Sequence, residues 1–290
     1  MRKHHFQHFF FFLTMTCVLC MAAQCDRKIT KGISFSESSS ESSSFGESSP
    51  VPALKLAHIA WADSMSVKDA QSVVRYDCML PVDGPEACVD SILGWIIPML
   101  ADSTAAANFR YTSEDDCKAF IERQGKAYLQ MDYAELKSMA EDGFAPGMER
   151  DFRVRVAYED STCITFLITT YTYLGGAHGY SGVLGATFSK TDGHHMTYAD
   201  LLAGRSAKQL RKEIREGLKT YFMVETDEEL RDNLFGQQDL TMNSDEYEAF
   251  PLPGADPWLE KDGVHLIYQQ YEIACYAAGM PAVVLKPSRP

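Results

Sequence analysis

Residues 171–204 read YTYLGGAHGYSGVLGATFSKTDGHHMTYADLLAG. The stretch just before and into it, Thr162–Leu174 (TCITFLITTYTYL), is long and rich in β-branched residues, the composition of a strand at the centre of a sheet. Val183–Ser189 is a second strand, and GGAHG at 175–179 is a glycine-dense turn between the two. Gly175, Gly176 and Gly179 permit positive φ there and let the backbone approach a neighbour closely. Further on, TDGHH at 191–195 carries the Asp-Gly of a hairpin tip. If the strands pair, this tip lies one strand length from GGAHG, at the other end of the sheet. A joint metal site of His178 with Asp192, His194 and His195 is therefore not expected, and no metal ligands are assigned. His178 remains a candidate general base or a residue that caps its turn through a ring nitrogen. His58 and His265 are isolated and read as structural.

Working outward, Asp151–Tyr158 is a third strand upstream, and Tyr198–Leu202 and Ala207–Phe222 are helical. Val264–Tyr268 and Ala282–Lys286 are late strands. Nearer the N-terminus, Ser72–Leu80 has strand composition and is expected to stop at Pro81. Pro85–Leu100 predicts a helix with Ala87, Ile92, Trp95, Ile96 and Met99 on its apolar face. Ser113–Ala140 predicts another, with Ser113 as N-cap, Glu114 and Asp115 at its acidic start, and Gly143 and Pro146 ending it. Asp227-Glu228-Glu229 likewise reads as a solvated helix start. Runs of helix and antiparallel strand in this order give an α+β fold with a mostly antiparallel sheet packed against helices.

The chain begins with Arg2 and Lys3, then an apolar run from Phe9 to Ala23, the layout of a secretory signal peptide over 1–24. Cleavage after Ala22 or Ala23 gives a secreted protein. Cleavage before Cys25 gives a lipoprotein with Cys25 acylated, held on the membrane outside the inner membrane, facing periplasm or cell exterior. Gln24 departs from the small residue that signal prefers. Residues 25–53 are a tether, with Ser/Glu-rich SFSESSSESSSFGESSP at 34–50. Two parts follow, 54–147 and 148–290. A net charge of -13 disfavours nucleic acid. After the leader, no apolar run reaches the ~20 residues of a spanning helix. Cys78 and Cys88 enclose the turn-rich LPVDGPEA, so a local disulfide is expected there. Cys117 and Cys163 read as buried small hydrophobes. These cysteines and Cys275 have no zinc-ligand spacing.

GxSxG, HExxH and P-loop patterns are absent, so the sequence assembles no catalytic site. YTYLGGAHGYSGVLGATFSKTDGHHMTYADLLAG does resemble the hallmark of an extracytoplasmic domain shared by RsiV-type anti-sigma factors and PdaC-type peptidoglycan deacetylases. The tail at 258–287, WLEKDGVHLIYQQYEIACYAAGMPAVVLKP, is similar to the same family's end, with Cys275 where the loop usually carries proline. RYDCMLPVDGPEACVDSILGWIIP at 75–98 is a weaker match to its preceding subdomain. The resemblance spans 54–290, strongly in 165–205 and 258–286. It implies an antiparallel sheet packed on helices and a binding role without cofactor. In RsiV the domain binds lysozyme; in PdaC it accompanies a deacetylase domain. Neither an anti-sigma region nor a deacetylase domain is read in these 290 residues. The resemblance therefore implies a non-catalytic envelope lipoprotein whose partner is a lysozyme-like muramidase. The alternatives are a peptidoglycan- or carbohydrate-binding module and a hydrolase using His178. Expected binding residues are Gly175, Gly176, His178 and Tyr180 in the turn, with Tyr271, Glu272 and Tyr276 in the loop Tyr271–Gly279. Tyrosines there offer large contact area, and Glu272 offers a charge to a basic partner.

Overall fold

Alternation in the strands sorts side chains onto two faces, and both faces are used. The computed structural model describes residues 53–110, 113–144, 146–235 and 251–287. The leader, Cys25 and almost all of the tether lie outside the described residues. Strands β1 (Lys55–Val67) and β2 (Ala70–Asp83) form a hairpin, followed by helices α1 (Glu86–Leu100), α2 (Ser103–Asn108) and α3 (Glu114–Glu141). Then come β3 (Met148–Glu159), β4 (Cys163–Tyr173), β5 (Tyr180–Ser189) and β6 (His195–Met196). Helices α4 (Tyr198–Leu201), α5 (Ala207–Phe222) and α6 (Asp227–Asp232) precede β7 (Trp258–Glu260), β8 (Gly263–Ile267) and β9 (Ala282–Leu285). The first six strands make one sheet in sequential order and the last three make another. Every pairing is antiparallel except β2–β3. That parallel step needs a crossover, and α1–α3 supply it. It also pairs strands from either side of residue 147.

One face of the large sheet carries Val74, Tyr76, Cys78 and Leu80 of β2, Phe152 and Val154 of β3, Phe166 and Ile168 of β4, and Phe188 of β5. These pack with Ile92 and Ile96 of α1 and Phe120 and Ile121 of α3. Each such side chain contributes about 1.5–3 kcal/mol by leaving water. Helix α3 lies close on the hairpin: a Cβ at Gly125 would meet the Trp61 ring at 2.1 Å. Ser113 caps α3 by accepting from the Asp116 N–H, as the sequence predicts. Asp132 of α3, 2% exposed, receives Arg150 of β3 through three N–H···O contacts of 2.8–3.1 Å.

The opposite face is half covered by the small sheet. The Trp258 ring lies on Gly185, where a Cβ would come within 2.2 Å of it. Buried Thr165 and Thr187 share a 2.9 Å hydrogen bond, and the Leu259 N–H donates to Thr187 Oγ1 at 2.8 Å. A second core joins α5 (Leu210, Ile214, Leu218) to β8 and β9 (Val264, Leu266, Val283). Arg215 of α5, 1% exposed, forms an ion pair with Asp227 at the start of α6, which Lys219 also reaches at 2.7 Å.

Several expectations need correction. Cys78 and Cys88 are free thiols. Cys78 points into the core toward Phe152 O at 4.0 Å, while Cys88 donates to Lys190 O at 3.4 Å, so they serve different neighbours. Strand β2 runs past Pro81 to Asp83, because its pairing with β3 ends at Cys78 and the missing N–H falls where β2 has no neighbour on that side. Ala87 is exposed; Cys88 and Val89 take the buried positions of the first turn of α1. Strand β1 and the short α2 were not expected at all.

Candidate recognition site

The β4–β5 turn and the loop before β9 meet at one end of the large sheet. Gly175, at φ 78°, lets the chain reverse, and a Cβ there would press into the Pro146 ring at 2.4 Å. Gly176 is fixed by Tyr173, whose hydroxyl donates to Gly176 O at 3.1 Å. At Gly179 a Cβ would strike the Tyr171 ring at 2.4 Å, so glycine lets that ring lie across the turn. His178 then projects from a turn held on both flanks.

Its ring stacks on Tyr276, with centroids 3.8 Å apart and planes 21° from parallel. The Nδ1 atom lies 3.0 Å from Gly179 O and Nε2 lies 3.0 Å from the Tyr271 hydroxyl. A carbonyl only accepts, so Nδ1 donates to Gly179 O, while Nε2 and the Tyr271 hydroxyl share the second hydrogen bond. Both ring nitrogens are thereby used. Tyr271 itself sits at φ 66°, left-handed backbone that a tyrosine rarely adopts, and is 46% exposed. Tyr180 is 47% exposed, its phenol pushed up by partial burial and by the nearby Glu272 charge. The turn and loop residues expected from sequence are therefore gathered: His178, Tyr271 and Tyr276 touch, with Tyr180 exposed beside them.

Glu272 also has a local structural role. Its oxygens accept from the Gly254 N–H and the Gln269 N–H, both at 2.6 Å. The exposed carboxylate ties two backbone segments together. His194 and His195 lie beyond the far end of the ten-residue β5, about 30 Å from the turn. His194 bonds Asp200 at 3.1 Å, and His195 stacks on Phe188 at 5.1 Å. Among the described residues no three His, Cys, Asp or Glu side chains gather around a common metal position.

Sequence reasoning missed the parts that hold the site. Gln269 receives the Val183 N–H at 3.1 Å and donates to Val183 O at 2.7 Å. Gln270 receives the Ser181 N–H at 2.8 Å. The Tyr221 hydroxyl donates to Ala278 O at 2.7 Å, fixing the short 3-10 turn Tyr276–Ala278. A pair of glutamines ending a strand was the available signal, though it names no target.

No curated protein matches the chain. A solved member of the DUF3298 family from Bacteroides fragilis superposes with a TM-score of 0.62 at 18% identity, covering 81% of this chain and 91% of that one. A DUF3298 family protein from Pseudomonas aeruginosa PAO1 gives 0.52 at 16% identity, covering 82% of this chain and 98% of that one. The family described as "Protein of unknown function (DUF3298)" matches residues 199–287, from α4 through β9. The chain thus has the α+β architecture of solved DUF3298-family proteins and carries that family's sequence pattern over its C-terminal third.

Proposed function

We propose that this chain is a non-catalytic recognition module of the cell envelope. In this reading it is anchored through Cys25 and binds a lysozyme-like protein with the face made by the 175–180 turn and the 271–279 loop. The observation that carries it is the contact of His178 with Tyr271 and Tyr276. Two loops distant in sequence present partly exposed aromatic rings on a rigid sheet edge, the side-chain chemistry that dominates protein interfaces. The acidic chain would speed encounter with a basic partner. Calorimetric titration of the purified protein with lysozymes of several types tests the proposal. Binding is expected, and Tyr276→Ala should weaken it by more than about 1 kcal/mol while the melting temperature changes little. Absence of binding to every lysozyme type refutes the partner; a collapsed melting temperature with normal binding by the folded fraction refutes the face.

A further inference from the structure

The small sheet covers only part of the large sheet's outer face. Where it stops, Asp151 and Arg153 of β3, Thr169 and Tyr171 of β4 and Ser181 of β5 line a shallow groove of about 410 Å³, closed at one side by Met280. Register places Asp151 beside Tyr171 and Tyr171 beside Ser181 in one row, with Arg153 beside Thr169 in the next. Three properties define what fits. First, the charges of the face are paired: Arg153 grips Asp151 through two bonds of 2.7 and 3.0 Å, Arg75 pairs with Glu149, and Asp77, beside Arg153 in register, meets His58. The face holds no excess of positive charge, so it does not favour an anion. Second, the Arg153 guanidinium, 63% exposed, keeps N–H groups that Asp151 does not use, and Thr169, Tyr171 and Ser181 add hydroxyls to the same lining. That is a donor–acceptor array suited to vicinal hydroxyl groups. Third, Tyr171 supplies an aromatic ring among these polar groups, held in place against Gly179.

We propose that this groove binds a neutral oligosaccharide, with the Asp151–Arg153 pair hydrogen-bonding sugar hydroxyls and Tyr171 packing on a sugar ring. The volume falls in the range of small-molecule sites. This site uses different residues from the aromatic face proposed for a protein partner and does not depend on that reading. Either outcome with lysozyme leaves it testable.

The test is a calorimetric titration of the purified protein with chitotetraose, cellotetraose, maltotetraose and, as the charged comparator, tetragalacturonate. Saturable binding of at least one neutral sugar is expected, weakened at least about fivefold by Arg153→Ala and by Tyr171→Leu. Lys126→Ala, on the exposed side of α3, should leave it unchanged. The Arg153 side chain is 63% exposed but that of Asp151 is 13% exposed and loses its partner, so the thermal melt of Arg153→Ala is recorded beside the titration, and Tyr171→Leu, which leaves the ion pair in place, reads the groove independently. No saturable binding of any neutral sugar overturns the proposal. So does tighter binding of tetragalacturonate, or sugar binding that survives Arg153→Ala intact.

Discussion

Replacing Asp132 by alanine tests whether the buried pair between α3 and β3 holds these elements together. The Asp132 side chain is 2% exposed and that of Arg150 is 13% exposed, and three short contacts join them. Arg150 also lies 4.9 Å from the centroid of the Tyr128 ring, which cannot replace a countercharge. Removing the carboxylate leaves a largely buried guanidinium unpaired, a loss of about 3–5 kcal/mol. With a urea slope of about 2 kcal/mol/M, the unfolding midpoint should fall by roughly 2 M at unchanged slope. The assay is urea unfolding followed by far-UV circular dichroism. The double variant Asp132→Ala/Arg150→Met removes both charges and should recover most of the loss, because an apolar pair needs no compensation. A single-variant loss below about 1 kcal/mol would refute the reasoning. So would a double variant no more stable than Asp132→Ala.

Other consequences are open to the same kind of measurement. Burial beside Phe188 and Trp95 lowers the pKa of His195, with Asp256 partly opposing it and His194 adding to it. The unfolded chain therefore binds the proton more readily, and stability should fall as pH drops below the ordinary histidine value of about 6.5. His195→Phe should flatten melting temperature between about pH 6.5 and 5; an unaltered slope would contradict this. Native protein starting at residue 54 should give one fast thiol with Ellman's reagent, Cys275, and five after denaturation. Burial pushes Cys78 up to about 12 and Cys117 and Cys163 up to about 11; fewer than five thiols in denaturant would restore a disulfide. Gly185→Ala should cost about 1–3 kcal/mol by displacing Trp258, visible as a changed near-UV tryptophan signal.

Local chemistry made much of this fold legible. Ser113 announced the start of α3, the helix over Ala207–Phe222 ran to its predicted ends, and the β-branched run ending at Leu174 is the central strand β4. Strand β1 was hidden because Ala and Ser dilute its alternation and its hairpin turns at Lys68, with φ 53°, where a glycine or asparagine would have signalled the turn. Asp132 and Arg150 gave no sign of their burial, since charged residues on a helix and a strand are ordinarily solvated. At the site, the glycines and tyrosines were legible one loop at a time. His178 meets Tyr271 only because β5 and the segment after β8 are brought together, and that is a tertiary fact, the partners being 93 positions apart in sequence.

The two glutamines that close the edge of β5 act as a mechanical coupling. Gln269 and Gln270 immediately precede Tyr271, and their amides grip β5 at Ser181 and Val183, a few residues after His178. The two jaws of the aromatic cluster are thus mounted on one pin, built from side-chain amides that copy the backbone of a neighbouring strand. Altering the pin would change how the rings are spaced without touching any ring: Gln269→Glu, for example, exchanges the donor facing Val183 O for a second acceptor and loosens the grip.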